Sequence, residues 1–121
     1  MAEAIYNKLT HSQDADSAGT YVERPGETLG ERKKRIGQSF AVDVMTNNGY
    51  TVGNQKQTQL TKEMLDEYDL VVSMAGKRYT PAWLKNASNY VYWKITDPKA
   101  RAYSITNRTR ELIEAKIQEI V

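Results

Sequence analysis

The sequence lacks cysteine, and this absence removes several classes of protein at once. None of the 121 residues is a cysteine, so the chain as given can hold no disulfide framework, no thiolate-bound metal and no nucleophilic thiol. Long apolar runs are also missing, since no stretch approaches the roughly 18 residues of a membrane-spanning helix. The first residues do not show the basic and then apolar pattern of a secretory signal. We therefore expect a cytoplasmic protein with no membrane partner.

Strong charge of either sign is lacking as well. Seventeen basic residues against 15 acidic residues give a net charge of +2, which supplies no field that favours nucleic acid or an anionic membrane. The basic run at residues 32–35 has no aromatic residues interleaved with it, so we interpret it as solvated surface and expect no nucleic-acid partner. A length of 121 residues with 40% apolar content suits one compact domain with a single core.

The sequence does contain an alternation of helical and extended patterns. Apolar residues spaced three and four apart predict the helices. In the first half of the chain, the patterns predict a helix over residues 1–9, a short strand over 15–20, a surface loop over 21–35 and a helix over 35–48. A short helix follows, from an N-cap at Thr61 through Leu65. The remaining predictions are a strand over 70–74, a turn of helix over 79–84, a strand over 90–93 and a final helix capped by Thr106 or Asn107. The expected apolar face of the final helix consists of Leu112, Ile113, Ile117, Ile120 and Val121.

Strands that alternate with helices predict an α/β fold. We expect a three-layer sandwich in which a short parallel sheet is flanked by helices and connected by right-handed crossovers. Three strands are expected in this sheet. The strand at residues 70–74 is a continuous apolar run, which is typical of a parallel strand covered on both faces.

Asp97-Pro98 is the most specific local motif. Pro98 biases Asp97 towards an extended backbone and so fixes the direction of its carboxyl group. Taken alone, such a pair more often starts a turn than takes part in catalysis.

Two other combinations of residues favour ordinary surface structure over a site. His11, Asp14 and Asp16 include three possible metal ligands, but on a turn between a helix and a strand they are more often a solvated corner. Residues 75–77, Ala-Gly-Lys, end like a nucleotide-binding loop, yet the earlier glycine and the following serine or threonine are missing. We expect no metal and no cofactor.

Several features, in order along essentially the whole chain, resemble one family. They are the helix at residues 1–9, Ser17-Ala18-Gly19-Thr20, Gln59-Leu60-Thr61, the strand that ends at Met74, Asp97-Pro98 and the final helix. Each is weak alone, but together they resemble the low-molecular-weight protein tyrosine phosphatases and the arsenate reductases built on the same fold. The polar loop with Pro25-Gly26 and the run over residues 92–98 look more like the prokaryotic branch.

The resemblance implies a catalytic role for Asp97, as the general acid that protonates the leaving oxygen. It also implies that a strand and a phosphate-binding loop precede the helix at residues 1–9. In that loop a cysteine nucleophile is followed after five residues by arginine and serine, and the N-terminal end of the helix points at the phosphate. Neither the strand nor the loop is in the sequence. We therefore expect residues 1–121 to be a single, N-terminally truncated domain of this type.

The truncation has a structural consequence, because the missing strand lies between two of the predicted strands in the family sheet. Buried backbone groups without partners cost about 1–3 kcal/mol each. We therefore expect one of three solutions. The remaining strands close on each other, another copy donates a strand so that a homo-oligomer forms through the exposed strand edges, or the sequence is only part of the natural protein.

Three functions remain open at this point. The first is a phosphotyrosine phosphatase, which in the complete family hydrolyses a phosphate monoester through a Cys-phosphate intermediate and which we predict to be inactive in this form. The second is an arsenate reductase, although residues 75–77 stand where its further cysteines are expected. The third is a pseudophosphatase that binds or oligomerises without catalysis.

The partners implied by the resemblance are a phosphotyrosine protein or a small phosphate or arsenate oxyanion. Tyr21, Tyr92 and Trp93 are candidate walls for an aromatic ring, although such residues more often belong to a core or a rim.

Overall fold

A computed structural model describes residues 1–95 and 102–121 of the chain. In order, the elements are α1 (Ala2–Thr10), α2 (Leu29–Ile36), α3 (Phe40–Asn47), a 3₁₀ helix (Lys62–Glu67), β1 (Val71–Ser73), a 3₁₀ turn (Lys77–Tyr79), α4 (Ala82–Lys85), β2 (Tyr90–Tyr92) and α5 (Tyr103–Gln118). No helix within these residues is both long enough and apolar enough to cross a membrane.

Helix α1 confirms the expected opening helix to within one residue at each end. It buries Ile5 completely and ends at His11, whose left-handed backbone (φ 52°) lets its N–H reach a carbonyl of the last turn. Leu9 stays partly exposed, so the apolar face of α1 is narrower than its sequence suggested.

The sequence prediction of a surface loop over residues 21–35 is wrong from Leu29 onward, where α2 begins. Thr28 and Glu31 form a capping box, in which the Thr28 hydroxyl accepts from the Glu31 N–H at 3.0 Å and the Glu31 carboxylate accepts from the Thr28 N–H at 3.3 Å. No residue of α2 is buried, which explains why apolar periodicity did not reveal it.

The predicted helix over residues 35–48 is also shorter than expected, because α2 and α3 are separate helices. Gly37 adopts a left-handed backbone (φ 87°), which ends α2. The Ser39 hydroxyl then accepts from the Val42 N–H at 3.3 Å and begins α3. Val44 and Met45 are buried as the apolar pattern predicted.

The sheet consists of β1 and β2, which pair in parallel with Val71 opposite Tyr90 and Ser73 opposite Tyr92. This is the predicted α/β fold with a short parallel sheet flanked by helices, but with two strands in the described part of the chain instead of three. Residues 15–20 do not form a strand, since only Gly19 makes an isolated bridge, to Gln59. Ser73 alone is buried in β1, so the expected covering on both faces is incomplete.

Two predicted caps differ in the structure. The segment after Thr61 is a 3₁₀ helix, and the Thr61 side chain makes no capping hydrogen bond. Helix α5 begins at Tyr103, before Thr106 and Asn107, with Ala102 at the N-cap position. Thr106 instead bonds back to the Ala102 carbonyl from inside the first turn.

Only two of the five residues expected on the apolar face of α5 are buried. Ile113 and Ile117 are buried, but Leu112 is exposed because neighbouring helical residues point about 100° apart. Ile120 and Val121 lie beyond the last helical residue, Gln118, and are exposed as well.

Hydrogen bonds around the buried Arg110 fix the orientation of α5 about its axis. Arg110 is buried and donates to Asn107 at 3.0 Å and to Glu114, which also accepts from the Tyr50 hydroxyl at 3.0 Å. Burial together with the hydrogen bond to Glu114 raises the pKa of Tyr50. Helix α5 therefore meets the residues that follow α3 through satisfied polar contacts as well as through its apolar residues.

One hydrophobic core joins the elements. Its buried members are Ile5 of α1, Met45 of α3, Val52, Trp93 just after β2, and Ile113 and Ile117 of α5. Half-buried apolar residues pack around it, including Met1, Val72, Met74 and Ile95.

We expect Ile117→Ala to lower the free energy of unfolding by about 2–5 kcal/mol, since it removes a large side chain from a core that cannot fully collapse. Ile117 is 2% exposed, whereas Ile120 is 44% exposed. The matched control Ile120→Ala is expected to change stability by less than about 0.5 kcal/mol. Denaturant unfolding followed by tryptophan fluorescence measures both, and equal losses would contradict the packing described.

Candidate functional site

One edge of β1 has no partner in the described part of the chain. The Val71 N–H bonds to the Asn89 carbonyl at 2.9 Å, and the Ser73 carbonyl accepts from the Trp93 N–H at 2.9 Å, so these residues face β2. The N–H and C=O groups of successive residues in a strand point to opposite edges, so those of Val72 point away from β2. No described residue bonds to them. An open edge of this kind can accept a further strand.

The segment at residues 15–18 is held by side chains from α1 and from the residues that precede β1. The Asn7 amide donates to the Ala15 carbonyl at 3.1 Å and accepts from the Ala15 N–H at 2.9 Å. The Tyr68 hydroxyl, three residues before β1, donates to Asp16 at 2.6 Å. Within the described residues this side-chain bridge, and no backbone hydrogen bond, connects residues 15–18 to the approach to β1.

The loop at residues 19–30 is fixed along its length to residues 53–60. Backbone hydrogen bonds of 2.7–3.0 Å join the two stretches in six places: Gly19 to Thr58, Gly26 to Gln57, Gln57 to Glu27, Leu29 to Gln55, Gly30 to Gly53 and Leu60 to Gly19. A loop bonded in this way is held as one unit with its neighbour.

The Gln59 side-chain amide forms hydrogen bonds with the start of this loop. Its oxygen accepts from the Val22 N–H at 2.8 Å, and its nitrogen donates to the Thr20 carbonyl at 2.9 Å. Gly19 is needed here because a Cβ would come within 2.9 Å of the Val22 side chain. Gln59 and Gly19 both belong to the motifs that resemble the family, but the sequence pattern predicted no role for Gln59.

The far end of the loop is fixed by an ion pair. Both guanidinium N–H groups of Arg35 that face Glu27 donate to its carboxylate, at 2.8 and 2.9 Å. These bonds hold the pKa of Glu27 below its ordinary value of 4.5. Lys33 pairs with Asp43 at 2.6 Å. Part of the basic run at residues 32–35 therefore serves to join α2 to its neighbours.

A shallow groove of about 200 Å³ lies between the loop and residues 55–58. Residues 17–19 and Leu29 contribute to its lining, and Tyr21 stands at its side with 85% of its surface exposed. An exposed aromatic ring beside such a groove can contact a flat apolar group.

The predicted site residues are placed as follows. Asp97 belongs to residues 96–101, which lie outside the described residues. Tyr92 is half-buried, with the Lys77 ammonium 5.8 Å from its ring centre. Trp93 is 9% exposed and belongs to the core, so its proposed role as a wall for a substrate ring is wrong. Its position directly after β2 turns its side chain into the space between the sheet and the helices.

The two other combinations of residues named from the sequence are placed as follows. No three His, Asp or Glu side chains in residues 1–95 and 102–121 are close enough to hold a metal ion. His11 ends α1, and Asp16 accepts from Tyr68. Lys77 begins a 3₁₀ turn.

The N-terminal end of α1 lies against the core, with Met1 packed on it. Burial lowers the pKa of the Met1 α-amino group, and nearby Glu3 opposes that shift. The Ser17 hydroxyl reaches the Glu3 carboxylate at 3.4 Å. This helix end and Ser17 therefore lie next to each other.

Comparison with known families identifies the family of this fold. The model of the low molecular weight phosphotyrosine protein phosphatase family matches residues 1–121. The chain belongs to that family. No curated protein matches it.

Solved structures share the fold at low sequence identity. Wzb from Vibrio vulnificus, in complex with benzylphosphonate, is 22% identical with a TM-score of 0.78, covering 98% of this chain and 85% of that one. Wzb from Escherichia coli K30, in complex with sulphate, is 18% identical with a TM-score of 0.76, covering 98% and 84%. A low molecular weight protein tyrosine phosphatase from T. tengcongensis is 22% identical with a TM-score of 0.76, covering 98% and 86%.

We expect Gln59→Ala to lower the free energy of unfolding by about 1–3 kcal/mol, because it leaves the Val22 N–H and the Thr20 carbonyl without their partner. Amide hydrogen exchange at Val22 should accelerate at the same time. The control Gln13→Ala removes an exposed amide and should change neither quantity. Unchanged exchange at Val22 in Gln59→Ala would contradict the role given to this side chain.

Proposed function

We propose that this chain forms the body of a protein tyrosine phosphatase domain and does not hydrolyse phosphate esters by itself. The observation that carries the proposal is the open edge of β1, together with the Tyr68–Asp16 bridge that joins residues 15–18 to the approach to this strand. In the complete sheet that we propose, residues 15–18 and β1 would flank one added strand and lie about 10 Å apart, twice the normal strand spacing. A bridge of two side chains suits that separation, whereas directly paired strands would bond through their backbones.

The chemistry of the family supports the second half of the proposal. Its nucleophile is a thiolate, and the chain contains no cysteine. Serine and threonine hydroxyls are present, but a hydroxyl lacks the low pKa and the nucleophilicity of a thiolate. The family position of the general acid corresponds to Asp97, which lies in the sequence between β2 and α5. In a complete domain, Asp97 would protonate the leaving oxygen as the bond to phosphorus breaks.

A phosphate ester of an aromatic alcohol is the substrate class that we propose for the complete domain. The two Wzb structures were solved with benzylphosphonate and with sulphate. These are an aromatic phosphonate and a tetrahedral oxyanion. In this chain the exposed ring of Tyr21 beside the groove is suited to contact the aromatic part of such a substrate. The same features give no particular support to arsenate reduction.

We expect the 121-residue chain to show no turnover of a chromogenic aryl phosphate and no reduction of arsenate with an external thiol. The reason is the missing nucleophile. Steady-state assays at high enzyme concentration measure both activities, with Asp97→Asn as the matched variant. Clear turnover that Asp97→Asn abolishes would overturn the proposal.

We expect an extension of the chain before Met1 by a strand and a loop with the pattern Cys, five residues, Arg, Ser to restore aryl phosphate hydrolysis and to raise the unfolding temperature. The strand would pair with the free peptide groups of Val72, and the loop would supply the nucleophile. Asp97→Asn in the extended chain should then lower the rate by about 10²–10⁴-fold.

A serine in place of the added cysteine is the control for this experiment. It should keep the gain in stability and lose the turnover, which separates the fold from the chemistry. An extended chain that gains neither stability nor activity would contradict the assignment of the open edge.

A further inference from the structure

The solvent-facing side of α5 carries a stripe of exposed residues that runs along the helix axis. Arg108, Leu112, Ala115 and Glu119 are all exposed. At 3.6 residues per turn they fall within about 60° of one another around the helix axis. Leu112 is 52% exposed, and Ile105, 44% exposed, extends the stripe towards the start of the helix. The buried face that packs on α1 and α3 lies on another side, at Ile113 and Ile117.

The two charges of this stripe have no ion-pair partner within the described part of the chain. Arg108 and Glu119 take part in none of its salt bridges, whereas Arg110 on the buried side pairs with Glu114 and Glu111. The stripe therefore has an apolar centre, Leu112 and Ala115, between a cation at one end and an anion at the other.

We propose that this stripe is an interface between two copies of the chain, in which the two α5 helices pack antiparallel. A two-fold axis passing between Ile113 and Glu114 brings Arg108 of one copy level with Glu119 of the other. The same axis brings Leu112 level with Ala115. Arg108 and Glu119 each lie about 8 Å along the helix from this axis, so both ion pairs form in the same register as both apolar contacts.

The pattern favours a second copy as the partner because it is complementary to itself. A two-fold interface uses the same patch twice, so each charge must meet its opposite across the axis. The small Ala115 opposite Leu112 allows the helix axes to approach to about 8–10 Å. A parallel arrangement would instead place Arg108 opposite Arg108 and Glu119 opposite Glu119, and like charges in contact disfavour association.

The stripe is narrow, which sets the expected strength of the dimer. One pair of helices of this length buries less than the roughly 1,200 Å² of a standard stable interface. We therefore expect a dimer that dissociates on dilution. The surface is distinct from the open edge of β1, so pairing through α5 does not depend on the proposed phosphatase chemistry.

Charge-reversal variants test the proposal in the full 121-residue chain, with sedimentation velocity from micromolar to about millimolar concentration as the readout. The wild-type chain should form dimers as concentration rises. Arg108→Glu alone and Glu119→Arg alone should each dimerise at least about tenfold more weakly, because each homodimer then contains two like-charge pairs. An equimolar mixture of the two variants should form a heterodimer, in which both pairs are opposite in sign again.

Two controls make the result specific. The double variant R108E/E119R should dimerise as the wild type does, since it exchanges the charges within each pair. Lys34→Glu makes the same charge change as Arg108→Glu on α2 and should leave the association unchanged. Circular dichroism confirms that every variant is folded. A wild-type chain that remains monomeric, or single variants that associate as strongly as wild type, would overturn the proposal. A mixture that does not form heterodimers would overturn it as well.

Discussion

The structure depends on the packing of α1 and α5 against each other across one small core. Ile5 contributes from the first helix, Ile113 and Ile117 from the last, and Met45 from α3. Trp93, directly after β2, is the residue through which the sheet joins this cluster. Because burial of apolar area is the main driving force of folding, these contacts hold the helices in place even though the sheet has only two strands in the described residues.

Polar side chains hold segments of the chain that lie outside the helices and strands. Asn7 reaches from α1 to hold Ala15, Gln59 holds the start of the loop at residues 19–30, and Arg35 holds its far end through Glu27. Each of these side chains bonds to a segment that has no regular secondary structure. Residues 15–18 and the loop are thereby held in place by side chains, although they contain no regular strand.

The sequence predicted the parts of the fold that rest on apolar periodicity. The helix at α1, the buried residues Val44 and Met45, and the two strands were all correctly located. The sequence failed where stability comes from other sources. Helix α2 buries nothing and depends on the capping box of Thr28 and Glu31, which an apolar pattern cannot reveal although the Thr-x-x-Glu spacing itself was available.

The prediction of the site was limited in the same way, because apolar periodicity does not reveal the contacts that form it. The motifs at Gly19 and Gln59 were noticed, but their roles depend on contacts between residues about 40 positions apart, which sequence spacing does not encode. Trp93 was named as a candidate substrate wall, although such residues more often belong to a core or a rim, and its burial assigns it to the core. Residues 15–20 were expected to form a strand, but a strand needs a neighbouring strand to pair with, and within the described residues only the isolated bridge from Gly19 to Gln59 forms.

The core also imposes an order on how the protein forms during synthesis. Ile5 is synthesised more than 100 residues before Ile113 and Ile117, with which it packs. Until α5 is released, the apolar face of α1 has only part of its final partners, and contacts of such long sequence separation form slowly. The nascent chain therefore exposes this face while the residues between α1 and α5 are made, a period in which incompletely packed chains depend on chaperones.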